Sequence, residues 1–204
     1  MKSTETQAYK DRLFRLQKKS WKKRLKIQEF YAHQVIRLQP GRVLEIGCGI
    51  GRLLEHLPDA VGIDHNLHSV NFARELGFQA FTEIEFKNSK FNIDESFDSI
   101  LLAHVVEHLT FQESVDLISN YLPLLKVHGK LIIICPQQSG YRSDKTHITF
   151  TSFSEIRQIC KTLNFHVQSE KSFPFPRFMG NFFRFNEFIV MAISNQGSDG
   201  VARS

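Results

Sequence analysis

The stretch that decides the fold reads Val43-Leu44-Glu45-Ile46-Gly47-Cys48-Gly49-Ile50-Gly51-Arg52, an apolar strand that runs into a glycine-rich turn. Glycine tolerates positive φ and lets a ligand approach the backbone closely. In dinucleotide sites such a turn precedes a helix that binds pyrophosphate. Here the spacing is G-x-G-x-G, with Arg52 where that fingerprint needs a small residue. Glu45 would repel a phosphate, so the turn favours a cationic ligand.

Strands and helices alternate after this turn, which predicts an α/β fold with a mostly parallel sheet and helices on both faces. The predicted elements are strand 42–46, helix 50–57, strand 60–64, helix 67–76 with Gly77 as C-cap, strand 78–82, a polar connection over 83–96, strand 98–104, helix 111–126 with Thr110 as N-cap, strand 130–135, a loop over 136–150, helix 152–163, and strands 164–169 and 186–193.

The basic charge of the chain is concentrated near its N-terminus. Residues 1–37 hold eleven Lys and Arg but three acidic residues, a net +8, so the remainder carries −3 of the total +5. Apolar residues recur at helical spacing over 8–38, and we predict a basic N-terminal helical cap over 1–40. The basic run 18–24 fits an RNA-binding or anionic-surface segment, or the solvated face of an amphipathic helix.

The rest of the chain predicts one domain over 41–193 and a flexible tail over 194–204. The three cysteines, Cys48, Cys135 and Cys160, lie in apolar surroundings without a C-x-x-C pair, which favours reduced thiols. No apolar run reaches membrane-spanning length, and the N-terminus lacks the apolar core of a signal peptide. We therefore expect a cytoplasmic protein without a membrane span.

Four ordered motifs resemble those of the class I SAM-dependent methyltransferases, and the resemblance covers roughly residues 41–170. They are the glycine turn at 43–51, Val61-Gly62-Ile63-Asp64-His65, the run from Phe97 to His108, and the run from Leu124 to Ile133. The resemblance, closest to the ubiquinone- and menaquinone-biosynthesis type, implies a Rossmann-like seven-stranded sheet whose last strand is antiparallel. A nucleotide-binding domain of another kind is the alternative.

The resemblance also implies where S-adenosyl-L-methionine (SAM) would bind. The glycine turn would lie along its methionine moiety, and Asp64 would bind the ribose hydroxyls. Thr82 and Glu83 follow the third strand, where the family has a group that faces the adenine; the alternative is that they form a solvated turn. His104 ends the fourth strand, and ligands of parallel sheets sit at carboxyl ends of strands. The predicted cofactor-binding residues are Glu45, Gly47, Cys48, Gly49, Asp64, His65, Glu83 and His104.

A histidine cluster follows the fourth strand as His104-Val105-Val106-Glu107-His108. A zinc protease with H-x-x-E-H would need the whole motif on one helix, whereas this one begins where a strand ends. Ubiquinone-biosynthesis O-methyltransferases and small-RNA 2′-O-methyltransferases carry the similar E-x-x-E-H, and there these groups hold a divalent metal near the acceptor hydroxyl. The resemblance makes His104, Glu107, His108 and the later His147 candidate metal ligands.

A metal-free alternative remains for this cluster. In metal-independent relatives the E-H pair packs against the following helix. His104 or His147 would then act as the catalytic general base, since a neutral imidazole accepts a proton near pH 7. A metal would instead lower the pKa of the acceptor hydroxyl.

Six phenylalanines crowd residues 171–186, between the last two predicted strands. One interpretation is an aromatic lid over the acceptor, with Arg177 or Arg184 pairing an acidic substrate group. The other is a hydrophobic flap packed on the core or on the partner of a homodimer.

The residues and the resemblance together predict methyl transfer from SAM to a small-molecule acceptor, at a hydroxyl group. A nucleic-acid methyltransferase acting on an RNA 2′-hydroxyl is the first alternative, but no N-P-P-Y motif or appended RNA domain favours it. A SAM-binding regulatory or scaffold protein without turnover is the second.

Overall fold

A seven-stranded sheet forms the centre of the structure, a computed structural model that describes residues 31–195. Its strands are β1 Val43–Ile46, β2 Ala60–Ile63, β3 Gln79–Phe81, β4 Phe97–Ala103, β5 Leu125–Pro136, β6 Phe165–Phe173 and β7 Glu187–Ser194. The spatial order is β3-β2-β1-β4-β5-β7-β6, and β7 runs antiparallel to both of its neighbours. The predicted Rossmann-like sheet with an antiparallel last strand is therefore confirmed.

Helices cover both faces of this sheet. They are α1 over 31–37, α2 Leu67–Glu75, α3 Glu83–Lys87, α4 Phe111–Ser119, α5 Gln138–Arg142 and α6 Phe153–Thr162. Neighbouring residues of a strand point to opposite faces, so a strand covered on both sides is apolar throughout. In β4, Ile100 and Leu102 pack in the core that contains α4 and α6, whereas Leu101 packs in the core that contains α1.

The described end of the predicted N-terminal cap is helical over 31–37, and it packs on the sheet through the fully buried Ala32 and Val35. The remainder of the predicted cap and the predicted tail beyond Asn195 lie outside the described residues. Ser194, which we placed in the tail, is the last residue of β7. None of the helices within 31–195 is long and apolar enough to cross a membrane.

The predicted helix 50–57 is wrong, because only a short 3-10 turn forms there, at Leu54–His56. Gly47, Gly49 and Gly51 have φ of 76°, 53° and 81°, and the left-handed conformation of Gly51 prevents a helix from starting at residue 50. The glycine turn therefore does not lead directly into an α-helix, which removes the helix N-terminus that a pyrophosphate would use.

Other elements also differ from prediction, and β6 extends to Phe173 where the predicted strand ends at 169. The polar connection contains α3, whose first turn is closed by reciprocal capping hydrogen bonds between Thr82 and Glu85. Helix α4 begins after the predicted N-cap Thr110 but ends at Ser119, and β5 begins at Leu125 after a 3-10 turn that contains Pro123. The loop predicted over 136–150 contains α5.

Candidate functional site

The glycine turn after β1 is shaped by two glycines with different surroundings. A Cβ at Gly47 would lie 2.4 Å from Val105 Cγ2, so only glycine lets the turn pass this close to the segment after β4. A Cβ at Gly49 would meet no atom of residues 31–195 within 4 Å. The turn thus packs tightly on one side and leaves open space for a ligand at Gly49.

The end of β2 holds this turn in place. The two carboxylate oxygens of Asp64 accept hydrogen bonds of 2.8 Å from the amides of Gly49 and Asn66. The amide of Gly47 donates to the Ile63 carbonyl at 2.7 Å. A carboxylate offers about four lone-pair positions, so Asp64 can still accept hydrogen bonds from a ligand.

Glu45 is a buried carboxylate beside the same turn, with a fractional exposure of 3%. Its Oε2 receives no hydrogen bond from any residue between 31 and 195. Burial, reinforced by the charge of Asp64, raises the pKa of Glu45 to about 8. An unpaired buried carboxylate is unfavourable unless a cation compensates it, so this position fits a cationic ligand.

Two cavities flank the turn and share Gly47 and His104 in their walls. The glycine-turn cavity, about 380 Å³, is also lined by Glu45, Cys48, Gly49 and Arg52. The Asp64 cavity, about 530 Å³, is also lined by Asp64, His65 and Glu83. All eight predicted cofactor residues therefore line one of these two cavities.

The predicted cofactor residues differ in how their side chains are placed relative to the two cavities. The thiol of Cys48 is buried against Gly62, and its burial raises the pKa of that thiol. A ligand in the glycine-turn cavity would therefore meet the backbone of Cys48. The side chain of His65 is 91% exposed, and Glu83 is the exposed first residue of α3.

A third cavity of about 340 Å³, which we call the histidine cavity, contains the predicted cluster. His104, Glu107, His108 and His147 all line it. It is also lined by Arg184, one of the two arginines considered for an acidic substrate group. Three further lining residues were not expected beside the cluster: Tyr31, Arg52 and Glu187. The signal for Glu187 was available, because the first residue of an antiparallel strand beside β5 must lie where β5 ends.

His104 is held between two carboxylates. It follows β4 with a φ of 59°, a conformation that is uncommon outside glycine and that clusters at functional sites. Its Nδ1 lies 3.3 Å from Glu107 Oε1, and its Nε2 lies 3.4 Å from Glu187 Oε2. Burial and Arg52 oppose the charged imidazole, but the two carboxylates outweigh them and raise the pKa of His104 to about 9.

The pKa of His104 bears on its predicted role as general base. A histidine with a pKa of about 9 is a cation at neutral pH and has no free lone pair. The two carboxylates thus favour the charged form of His104, and its role as general base stays a prediction.

Glu187 joins the cluster to the N-terminal helix. It is buried, with 3% of its surface exposed. Burial raises its pKa to about 7, with Glu107 adding to the rise while His104 and the nearby Tyr31 hydroxyl oppose it. The Tyr31 hydroxyl donates to the Phe185 carbonyl at 2.5 Å. Helix α1 thus supplies a wall of the histidine cavity.

Glu107, His108 and His147 form a group whose candidate ligand atoms all lie within 4.8 Å of one another. Both Glu107 oxygens are buried; Oε1 lies 3.3 Å from His104 Nδ1, and neither oxygen accepts a well-aligned hydrogen bond from residues 31–195. His108 Nδ1 lies 3.2 Å from the Thr146 carbonyl, and His147 Nδ1 lies 2.8 Å from the Tyr141 carbonyl. A carbonyl can only accept, so each Nδ1 carries the hydrogen.

Those two contacts leave the Nε2 lone pair of each histidine available. Ligating histidines commonly donate their other N–H to a carbonyl, so the group fits a divalent metal chemically. His104, the fourth predicted ligand, does not belong to this group, because its nitrogens face Glu107 and Glu187.

Comparison with known proteins identifies the family. A methyltransferase domain model matches residues 21–170. An uncharacterized methyltransferase of Bacillus cytotoxicus is 30% identical over 135 residues, which are 60% of this chain and 63% of that protein. The chain therefore matches less than two thirds of the length of this curated relative.

Solved structures share the fold. A SAM-dependent methyltransferase of Thermotoga maritima, described as a possible histamine N-methyltransferase, has a TM-score of 0.66 and 16% identity over 90% of this chain and 99% of that chain. Magnesium protoporphyrin IX methyltransferase from Synechocystis with bound S-adenosylhomocysteine (SAH) has a TM-score of 0.61 and 16% identity, covering 92% and 95% of the two chains.

The chain belongs to the methyltransferase domain family, with the fold of the class I SAM-dependent methyltransferases. The resemblance predicted from the four ordered motifs is confirmed by this match.

Proposed function

We propose that the protein transfers a methyl group from SAM to an oxygen of a small acceptor. One observation carries this proposal: His104 lines the glycine-turn cavity, the Asp64 cavity and the histidine cavity. A cofactor in the first two cavities and an acceptor in the third would therefore meet beside His104. Methyl transfer needs such an in-line meeting of donor and acceptor.

The cofactor cavities offer groups that match SAM. Asp64 would accept hydrogen bonds from the ribose hydroxyls while it holds the turn through Gly49. Glu45 would pair the cationic methionine end, which relieves its buried charge. Glu83 and His65 would lie on the adenine side. When bound, SAM supplies an electrophilic methyl group on its sulfonium sulfur.

On the acceptor side, we propose that Glu107, His108 and His147 hold a divalent ion. Two imidazoles and one carboxylate suit Mn²⁺, Fe²⁺, Co²⁺ or Zn²⁺ better than Mg²⁺, which prefers oxygen ligands. Such an ion would lower the pKa of the acceptor hydroxyl. Tyr141 and Thr146 would orient the two histidines through their carbonyls. Without an ion, His147 is the candidate general base.

The test is a methyl-transfer screen with labelled SAM, using small phenols and alcohols, small amines, and RNA as acceptors. Protein stripped of metal would be assayed with and without added Mn²⁺, Zn²⁺ or Mg²⁺. We expect transfer to a small hydroxyl compound that EDTA abolishes and Mn²⁺ or Zn²⁺ restores.

Other outcomes of this screen have distinct meanings. Transfer that EDTA does not affect would contradict the metal proposal and favour His147 as the general base. Transfer to RNA alone would establish the nucleic-acid alternative. Tight SAH binding without transfer to any acceptor class would favour the regulatory alternative.

Glu45 gives a pH-dependent prediction. Its pKa of about 8 in the folded apo protein exceeds the ordinary value of 4.5, so between these values the folded state binds more protons than the unfolded state. Through this group, the stability of the apo protein falls as pH rises. A cationic ligand favours ionised Glu45, so SAH affinity should rise with pH, by up to about tenfold per unit below about pH 8.

Calorimetry of SAH binding between about pH 6 and pH 8 checks this prediction. In Glu45→Gln the affinity should be weaker and nearly independent of pH, whereas the exposed Glu55→Gln in the same segment should behave like the parent. An equally steep pH dependence in Glu45→Gln would show that another group is responsible.

A further inference from the structure

We infer that the acceptor carries an anionic group, a carboxylate or a phosphate, and that Arg184 binds it in the histidine cavity. The inference rests on the proposed function, since it names the class of acceptor. The sequence left Arg177 and Arg184 as equal candidates for this role, and the structure distinguishes them.

Arg177 is occupied by contacts within the protein. Its guanidinium donates to Gln138 Oε1 at 2.7 Å and lies 4.7 Å from the centre of the Phe188 ring. Burial lowers the pKa of Arg177, and the residue does not line the histidine cavity. Arg177 therefore stabilises the segment between β6 and β7.

Arg184 differs in each of these respects. It lines the histidine cavity, its side chain is exposed, and its guanidinium lies 5.0 Å from the centre of the Phe185 ring. Within residues 31–195, no carboxylate lies at ion-pair distance from it. An arginine placed on an aromatic face without an acidic partner can form a bidentate pair with a carboxylate or phosphate.

The backbone around Arg184 is fixed, so its side chain starts from a defined position. A Cβ at Gly140 would lie 2.5 Å from the Arg184 carbonyl oxygen, so α5 packs directly on this backbone. The Phe185 carbonyl accepts a hydrogen bond from the Tyr31 hydroxyl. Asn186 is fully buried, and its amide donates to Gln137 Oε1 at 3.0 Å. A binding group on such a rigid support loses little freedom when its ligand binds.

The charges of the cavity orient the acceptor. The buried carboxylates of Glu107 and Glu187 would repel an anion, so an acidic group belongs at Arg184 and the hydroxyl at His108 and His147. Asp144 also lines the cavity, but its Oδ1 is held by the amide of Thr146 at 2.9 Å. A cavity of about 340 Å³ suits a small bifunctional molecule.

The test measures binding, so it does not depend on turnover. Protein saturated with SAH would be titrated with a set of aromatic and aliphatic hydroxycarboxylates, their methyl esters, and phosphate monoesters of matching hydroxy compounds. We expect a carboxylate or phosphate member to bind at least about tenfold more tightly than its uncharged counterpart. Comparison of the two anionic series identifies which acid the site prefers.

Arg184→Gln should weaken the anionic member by about 10- to 100-fold and leave its ester unchanged, while Arg184→Lys should weaken it less. The control Arg142→Gln removes a charge from the neighbouring end of α5, outside the cavity lining, and should bind as the parent does. If SAH binds but no anionic member binds better than its ester, or if Arg184→Gln binds it equally, the inference is wrong while the proposed function stands. If SAH itself does not bind, the proposed function is wrong, and the inference that rests on it is wrong as well.

Discussion

We expect Glu107→Gln to lower the affinity for Mn²⁺ or Zn²⁺ by about 100-fold or more and to slow methyl transfer correspondingly at limiting metal. Loss of an outer-shell partner typically costs about 10- to 100-fold in metal affinity, so loss of a ligand should cost at least as much. Glutamine keeps the size of the side chain, which fills a position only 1% exposed. The measurement is metal content and metal titration of protein purified without chelator, followed by the transfer assay.

SAH affinity is the internal control for this variant, because Glu107 lines neither cofactor cavity. It should stay within a few-fold of the parent value. The exposed Glu75→Gln at the end of α2 should retain both metal and activity. Protein that holds no ion at saturating Mn²⁺ and Zn²⁺, together with unchanged turnover in Glu107→Gln, would contradict the metal proposal.

The sequence could predict that the residues of the proposed cofactor site lie close together, because the signals for them are local. Glu45 and the glycines lie in one short run, and Asp64 ends the next strand. In a parallel sheet such strand ends meet at one edge, so their spatial proximity follows from the order of elements. The structure places Asp64 in hydrogen-bond contact with Gly49 across this edge.

The acceptor side depends on contacts between distant segments. Glu187 reaches His104 because β7 is antiparallel and its first residue pairs with Pro136, at the carboxyl end of β5. Tyr31 reaches the cavity because α1 packs across the sheet. The antiparallel direction of β7 indicates that Glu187 lies at this edge of the sheet, but it does not indicate which side chains meet there. The sequence therefore could not predict that His104 lies between two carboxylates.

This arrangement also shows why residue identity alone does not indicate the charge of His104. An isolated histidine titrates near neutral pH, but the charge of His104 is set by Glu187 and Glu107, which come from different parts of the chain. In contrast, hydrogen bonds to carbonyls fix the tautomers of His108 and His147, the first through Thr146 and the second through Tyr141. The histidines of one cavity therefore differ in their hydrogen-bond partners, carboxylates for His104 and carbonyls for the other two.

Asp64→Ala should reduce SAH affinity by about 100-fold, because two contributions are lost together. The ribose hydroxyls lose a charged acceptor, and the amide of Gly49 loses the oxygen that holds the glycine turn at 2.8 Å. Hydrogen bonds to charged groups contribute about 1.5–3 kcal/mol each, so two of them account for a loss of this size. Calorimetry with SAH measures it.

Asp64→Asn separates these contributions, because it keeps one acceptor oxygen without the charge, and we expect a smaller loss than in Asp64→Ala. Asp59→Ala, an exposed aspartate just before β2 whose Oδ1 lies 3.6 Å from Arg42 Nε, is the matched control and should bind SAH normally. Thermal unfolding of each variant shows whether the domain remains folded. Parental SAH affinity in a folded Asp64→Ala would show that Asp64 does not hold the ribose of SAM. Tighter binding of NAD than of SAH by the parent would assign these cavities to a different nucleotide cofactor, since NAD also carries ribose hydroxyls that an aspartate can bind.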